Sequence, residues 1–113
     1  MQIRKTYSEI NPELLYAEVR DFVLKQGVSL DEHKLETYTQ PDESASFVSR
    51  GTLTFRARGA GSKGEECLRA HVVGTARGDT KLMLDIDDGL FPKTKVTALL
   101  EDLDFIFGDQ ELE

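Results

Sequence analysis

Apolar and polar residues alternate through three runs in the middle of the chain, at residues 47–58, 68–77 and 81–87. Alternation of this kind is typical of a strand with one buried and one solvated face. The apolar or small residues that share the inward parity are Phe47, Ser49, Gly51, Leu53, Phe55, Ala57, Leu68, Ala70, Val72, Gly74, Ala76, Leu82, Leu84 and Ile86. Because the connections are short, we expect the three strands to form an antiparallel meander.

Two segments have helical spacing. The first begins at Asn11 and Pro12, which suit the N-cap and the first helical position, and ends before Gly27. Its apolar face holds Leu15, Val19, Phe22 and Val23. The second begins after Pro92 and ends before Gly108, with an apolar stripe formed by Val96, Leu99, Leu100, Leu103, Ile106 and Phe107.

Two shorter strands precede the meander, at residues 2–8 and at residues 34–39, the latter at or near a sheet edge. The predicted order is β-α-β-β-β-β-α, an α+β fold in which two helices pack on one face of an antiparallel sheet. No repeat, low-complexity tract or long linker divides the 113 residues, so residues 1–113 are predicted to form one domain.

The composition argues against some classes of partner and favours one cellular compartment. The formal net charge is -7, so the long-range field repels phosphate backbones and anionic lipid headgroups, and we expect neither nucleic acid nor membrane as a partner. Cys67 is the only cysteine, which excludes an intrachain disulfide and favours a reducing compartment. With no apolar leader and no apolar stretch long enough to span a bilayer, the predicted location is the cytoplasm.

Three segments resemble chemical motifs and fail on spacing. The acidic run at residues 85–89 has its glycine at the fifth position and lacks the Glu that calcium loops carry at the twelfth. The glycine-rich loop at residues 59–64 lacks the order of a phosphate loop and joins two strands. No nucleophile motif accompanies His33 or His71. The sequence therefore predicts no catalytic residue, no metal site and no cofactor.

The outward positions of the sheet are basic although the protein is acidic. The cations predicted on this face are Arg50, Arg56, Arg58, Arg69, Arg77 and Lys81. They indicate either a site for an anionic partner or a solvated face on which they pair with Glu65, Asp85 and Asp87. Because Phe47 and Phe55 have the inward parity, the face lacks the exposed aromatic rings on which RNA bases stack.

Several inward positions are unusually small, namely Gly51, Ala57, Ala70, Gly74 and Ala76. Small residues on the inner face of a sheet either let a helix approach closely or leave space for a ligand. In the second case the cavity would be lined by Phe47, Leu53, Phe55 and Val72 beneath the two helices. The sequence leaves both alternatives open.

The chain runs from a strand at residues 2–8 directly into a helix capped at Asn11-Pro12, and it ends in a long helix over a sheet with small inward residues. Along its whole length this arrangement resembles a reduced helix-grip fold of the Bet v 1 and START type. The resemblance implies that a hydrophobic or amphipathic small molecule binds between the C-terminal helix and the sheet. The predicted ligand-binding residues are Phe47, Gly51, Leu53, Phe55, Val72, Gly74, Leu99 and Leu103.

A second hypothesis is a non-enzymatic protein-interaction module that forms a homodimer or docks a basic partner. The C-terminal helix carries Glu101, Asp102 and Asp104 on the side away from the basic sheet face. Opposite charges on opposite sides allow one copy to attract another, with Val73 and Met83 as apolar anchors on the sheet face.

Overall fold

The computed structural model describes residues 1–37, 49–58, 64–75 and 78–112. Its elements are β1 (Gln2–Ser8), α1 (Pro12–Leu24), β2 (Ser29–Thr37), β3 (Ser49–Arg56), β4 (Glu66–Gly74), β5 (Asp79–Ile86), α2 (Lys93–Phe107), a 3-10 turn (Gly108–Gln110) and β6 (Glu111–Leu112). The predicted α+β class and the order β-α-β-β-β-β-α are confirmed, and the short strand β6 follows the predicted elements.

The start of α1 follows from local chemistry. The Asn11 side chain accepts hydrogen bonds from the backbone N–H groups of Glu13 at 2.7 Å and Leu14 at 3.4 Å, so it caps two otherwise unpaired donors. After the helix the chain turns at Gly27, whose φ of 86° is a conformation that favours glycine. The helix buries one face, formed by Leu15, Tyr16, Val19 and Val23.

Helix α2 begins after Pro92 and ends at Phe107, as predicted. Gly108, which was predicted to follow the end of the helix, has a φ of -57° and starts the 3-10 turn. The turn leads the chain to β6, which pairs with β1. The two helices are joined at the surface by an ion pair between Lys25 and Asp102 at 3.1 Å.

The sheet is antiparallel throughout, in the order β2-β3-β4-β5-β1-β6. Strand β1 lies beside β5, and α1 carries the chain across the sheet to β2 at the far edge. Strand β2 is at an edge as predicted, but it begins at Ser29. Its alternation is interrupted by a bulge between Leu30 and His33, which concealed its first half in the sequence.

The inner face of the sheet and the buried faces of both helices form one hydrophobic core. The described Leu, Phe, Val and Ile residues that were predicted to point inward are at most 4% exposed, namely Leu53, Phe55, Leu68, Val72, Leu82, Leu84 and Ile86. Ala57, which was also predicted to point inward, is only partly buried. Phe47 and Ala76 lie outside the described residues. Tyr7 of β1 and Phe107 of α2 close one side of the core with their ring centroids 5.8 Å apart.

Candidate functional site

The predicted ligand-binding residues lie in the core between helices and sheet. Leu53, Phe55, Val72, Leu99 and Leu103 are at most 1% exposed and belong to the single hydrophobic cluster. Gly51 and Gly74 are also buried, on the inner faces of β3 and β4. Phe47 lies outside the described residues. The structure therefore brings together seven of the eight predicted residues, in one continuous packed region.

Helix α1 approaches the sheet closely at the two buried glycines. A Cβ atom at Gly51 would lie 2.5 Å from Cδ2 of Tyr16, and one at Gly74 would lie 2.6 Å from Cγ of Pro12. Both distances are far below van der Waals contact, so the absence of a side chain is what lets Tyr16 and Pro12 pack there. Close docking of a helix accounts for both glycines.

Tyr16 also connects α1 with the edge of the sheet. Its ring lies over Gly51 beside the Leu35 side chain. Burial raises the pKa of the Tyr16 hydroxyl, and the nearby charge of Arg20 and the backbone of Lys34 act in the opposite direction.

The other face of the sheet is solvated, and its residues form cross-strand rows. Directly opposite one another lie Lys34, Thr52, His71, Met83 and Arg4. The Thr52 hydroxyl and His71 Nδ1 are 3.5 Å apart, so His71 is a polar residue of this face, as predicted. We call this surface, formed by the outward residues of β3, β4, β5 and β1 together with Lys34 and Glu36 of β2, the outer face.

A parallel row brings Arg50, Val73, Lys81 and Thr6 together on the outer face. Val73 and Met83 are half-buried, and they lie in neighbouring rows at the middle of the sheet. Around them is an open cleft of about 380 Å³, lined by Arg4, Lys5, Thr6, His71, Val73, Lys81, Leu82 and Met83. The cleft combines apolar side chains with cations.

The cations of the outer face divide into engaged and unengaged groups. Arg69 pairs with Glu66 at 2.9 Å and Arg56 pairs with Asp31 at 2.9 Å, neither of which was a predicted partner. The predicted partner Asp85 lies directly opposite Arg69 on β5. Arg56 also donates to the Gly64 carbonyl at 3.1 Å, and Arg58 donates to the Ser29 hydroxyl at 3.3 Å. Arg77 lies outside the described residues.

In contrast, Arg4, Arg50 and Lys81 are exposed and form no ion pair with any residue in the described part of the chain. Arg4 was missed by the sequence analysis, because β1 lies next to β5 and its outward residues join the face only through this long-range pairing. The helical side carries the opposite charge, with Glu13, Glu18 and Asp21 on α1 and Glu101, Asp102 and Asp104 on α2.

Cys67 and Tyr7 are titratable side chains that are buried in the core, away from the outer face. The Cys67 thiol is 1% exposed and donates to the Phe55 carbonyl at 3.6 Å, and burial raises its pKa, so it is a poor nucleophile. Burial, and then the charges of Glu111 and Asp104, raise the pKa of the Tyr7 hydroxyl. Both groups are therefore neutral at physiological pH and serve as core side chains.

Metal coordination finds no support in residues 1–37, 49–58, 64–75 and 78–112, where no group of three or more His, Cys, Asp or Glu side chains is arranged to hold an ion. Neither described helix is long and apolar enough to cross a membrane. A comparison of the chain with models of protein families and with curated protein sequences found no match.

Proposed function

We propose that this domain is a protein-interaction module whose outer face binds an acidic, partly apolar segment of another protein. The observation that carries the proposal is the arrangement of Arg4, Arg50 and Lys81 around the half-buried side chains of Val73 and Met83. None of the three cations forms an ion pair within the described part of the chain, although Glu36 lies directly opposite Arg50, so they can still bind a carboxylate from outside.

The arrangement matches the general anatomy of a protein interface. Such interfaces have an apolar centre and a polar rim, and arginine and methionine are enriched in them. On the outer face Val73 and Met83 supply the centre, and the three cations supply the rim. Because the rim is exposed and salt-screened, its charges set orientation and association rate, and the apolar centre holds the partner in place.

The net charge of -7 favours a protein over a nucleic acid as the occupant. A polyanion feels the repulsion of the whole acidic molecule, whereas a short acidic segment seated on the sheet interacts mainly with the cations within a Debye length, about 10 Å at moderate salt. In addition, no described outward residue of β3, β4, β5 or β1 is Phe, Tyr or Trp, so the half-buried His71 imidazole is the one ring that these strands offer a base.

The test is fluorescence anisotropy with a labelled peptide in which Glu alternates with Leu. We expect the double substitution Arg4→Glu and Lys81→Glu to weaken binding at least about tenfold, because it reverses two charges of the rim. The matched control is Arg20→Glu and Lys93→Glu, which changes the net charge equally on the two helices. The control should retain nearly the affinity of the unmodified protein.

Two outcomes of this experiment contradict the proposal. Equal weakening by both double variants shows that net charge alone governs the association. Tighter binding of a labelled single-stranded DNA oligonucleotide than of the peptide shows that the outer face is a nucleic-acid site.

Binding of a small apolar molecule between helices and sheet remains the second proposal. A ligand over Gly51 or Gly74 requires the Tyr16 ring or the Pro12 ring to move, since these rings occupy the space above the glycines. Native mass spectrometry with fatty acids, sterols and aromatic metabolites tests it. A retained ligand that also raises the melting temperature supports this proposal, and the absence of any retained ligand or shift rejects it.

A further inference from the structure

Strand β2 is the long edge of the sheet. It has nine residues, whereas the strand at the opposite edge, β6, has two. Strand β2 pairs with β3 alone among the described strands, and in this part of the chain its other side is an edge that carries backbone N–H and C=O groups. Such a row is a template for another strand.

The second half of β2 is regular and the first half is not. The register with β3 is continuous from His33 to Thr37 and is broken before His33, where the Glu32 N–H donates to the Thr54 hydroxyl at 3.0 Å. Tyr16 supports the regular part from the helical side, since its ring contacts the same glycine position as Leu35. The segment suited to pairing is therefore residues 33–37.

We propose that two copies of this chain pair antiparallel along β2, about a two-fold axis at Leu35. The two sheets then continue into one, with the helices of both copies on the same side. In such a sheet, directly opposite residues must point to the same face, so the axis passes through a residue and not between two. An axis at Leu35 also lies at the centre of the regular segment.

The side chains favour this register over its neighbours. With the axis at Leu35, Lys34 of each copy lies opposite Glu36 of the other, and the two Leu35 side chains, each 38% exposed, face each other. An axis at Lys34 or at Glu36 would set like charges directly opposite, and one at His33 would draw the bulge into the pairing. Bulges and edge lysines normally prevent unspecific pairing. In β2, the bulge and the charged residues disfavour the neighbouring registers and leave the register with its axis at Leu35 without like-charge pairs.

The contact is small, since it joins two short strand segments. We expect the contact to bury less than the roughly 1,200 Å² of surface that is usual for stable complexes. The dimer should therefore be weak and reversible. The inference does not depend on the proposed function, because the dimer joins the backbone edges of β2, whereas the proposed site uses Arg4 on β1, Lys81 on β5 and Arg50 on β3, opposite Glu36.

Sedimentation velocity over a range of protein concentrations measures self-association. The dimer is tested with variants in which the charge of Lys34 or of Glu36 is reversed. We expect Lys34→Glu and Glu36→Lys, each alone, to weaken self-association at least about tenfold, because each creates two like-charge pairs across the axis. An equimolar mixture of the two single variants should associate again, as a heterodimer whose cross-strand pairs are all of opposite charge.

The mixture distinguishes pairing between two copies from loss of an ion pair within one chain. Lys34 and Glu36 also form an exposed ion pair within β2, at 3.4 Å, and mixing two variants cannot restore it. The matched control is Arg4→Glu with Lys81→Glu, which should leave self-association unchanged while it weakens peptide binding. The proposal is overturned by a mixture that stays monomeric, by unmodified protein that is monomeric at every concentration, or by loss of self-association in the control.

Discussion

At the scale of single residues, the glycines of the inner face show what a sequence pattern leaves open. A small residue at Gly51 or Gly74 is equally consistent with a cavity and with a close helix, because the pattern does not say what lies above it. The answer depends on Tyr16 and Pro12, which come from a helix far away in sequence. Only the packing of α1 on the sheet decides between the two.

This packing makes a prediction for Gly51→Ala. The added methyl group would meet the Tyr16 ring at 2.5 Å, so we expect the free energy of unfolding to fall by about 1–3 kcal/mol, which is typical of overpacking a core. Urea denaturation followed by circular dichroism measures the change. The control is Gly89→Ala, where the nearest atom is an Asp87 carboxylate oxygen at 3.3 Å. Equal stability of Gly51→Ala and the unmodified protein would mean that the space is open.

At the scale of elements, periodicity and capping residues were sufficient for most of the fold. Asn11, Pro12 and Gly27 define both ends of α1 by local hydrogen bonding and backbone conformation, so this helix was predicted almost to the residue. Strand β2 was predicted only in its second half, because its bulge breaks the alternation on which strand prediction rests. Strand β6 has two residues, too few for any periodicity.

The sequence predicted which cations point outward on β3 and β4, but not which acidic residues they pair with. The parity of β3 and β4 correctly placed Arg50 and Arg69 outward. The ion-pair partners could not be derived from parity. Arg56 follows a register shift between Phe55 and Arg56, and its partner Asp31 comes from the bulged part of β2. Local irregularities thus decide which cations are neutralised and which remain available.

At the scale of the whole molecule, charge is divided between the two sides of the sheet. The helices hold six acidic side chains on the side away from the outer face, where Arg4, Arg50 and Lys81 form no ion pair within the described chain. In the proposed dimer the two outer faces become one continuous surface, since both copies keep their helices on the same side. Two linked sites bind a bivalent acidic partner more tightly than one site alone.

The most direct test of the interaction surface is an NMR titration of the isotope-labelled protein with the acidic Glu-Leu peptide. The account predicts that amide shifts concentrate at outward residues of the central strands, above all Arg4, Arg50, Val73, Lys81 and Met83, and spare the exposed residues of α1 and α2. Shifts concentrated instead at the core positions Leu53, Leu99 and Leu103, or on the helices, would contradict it.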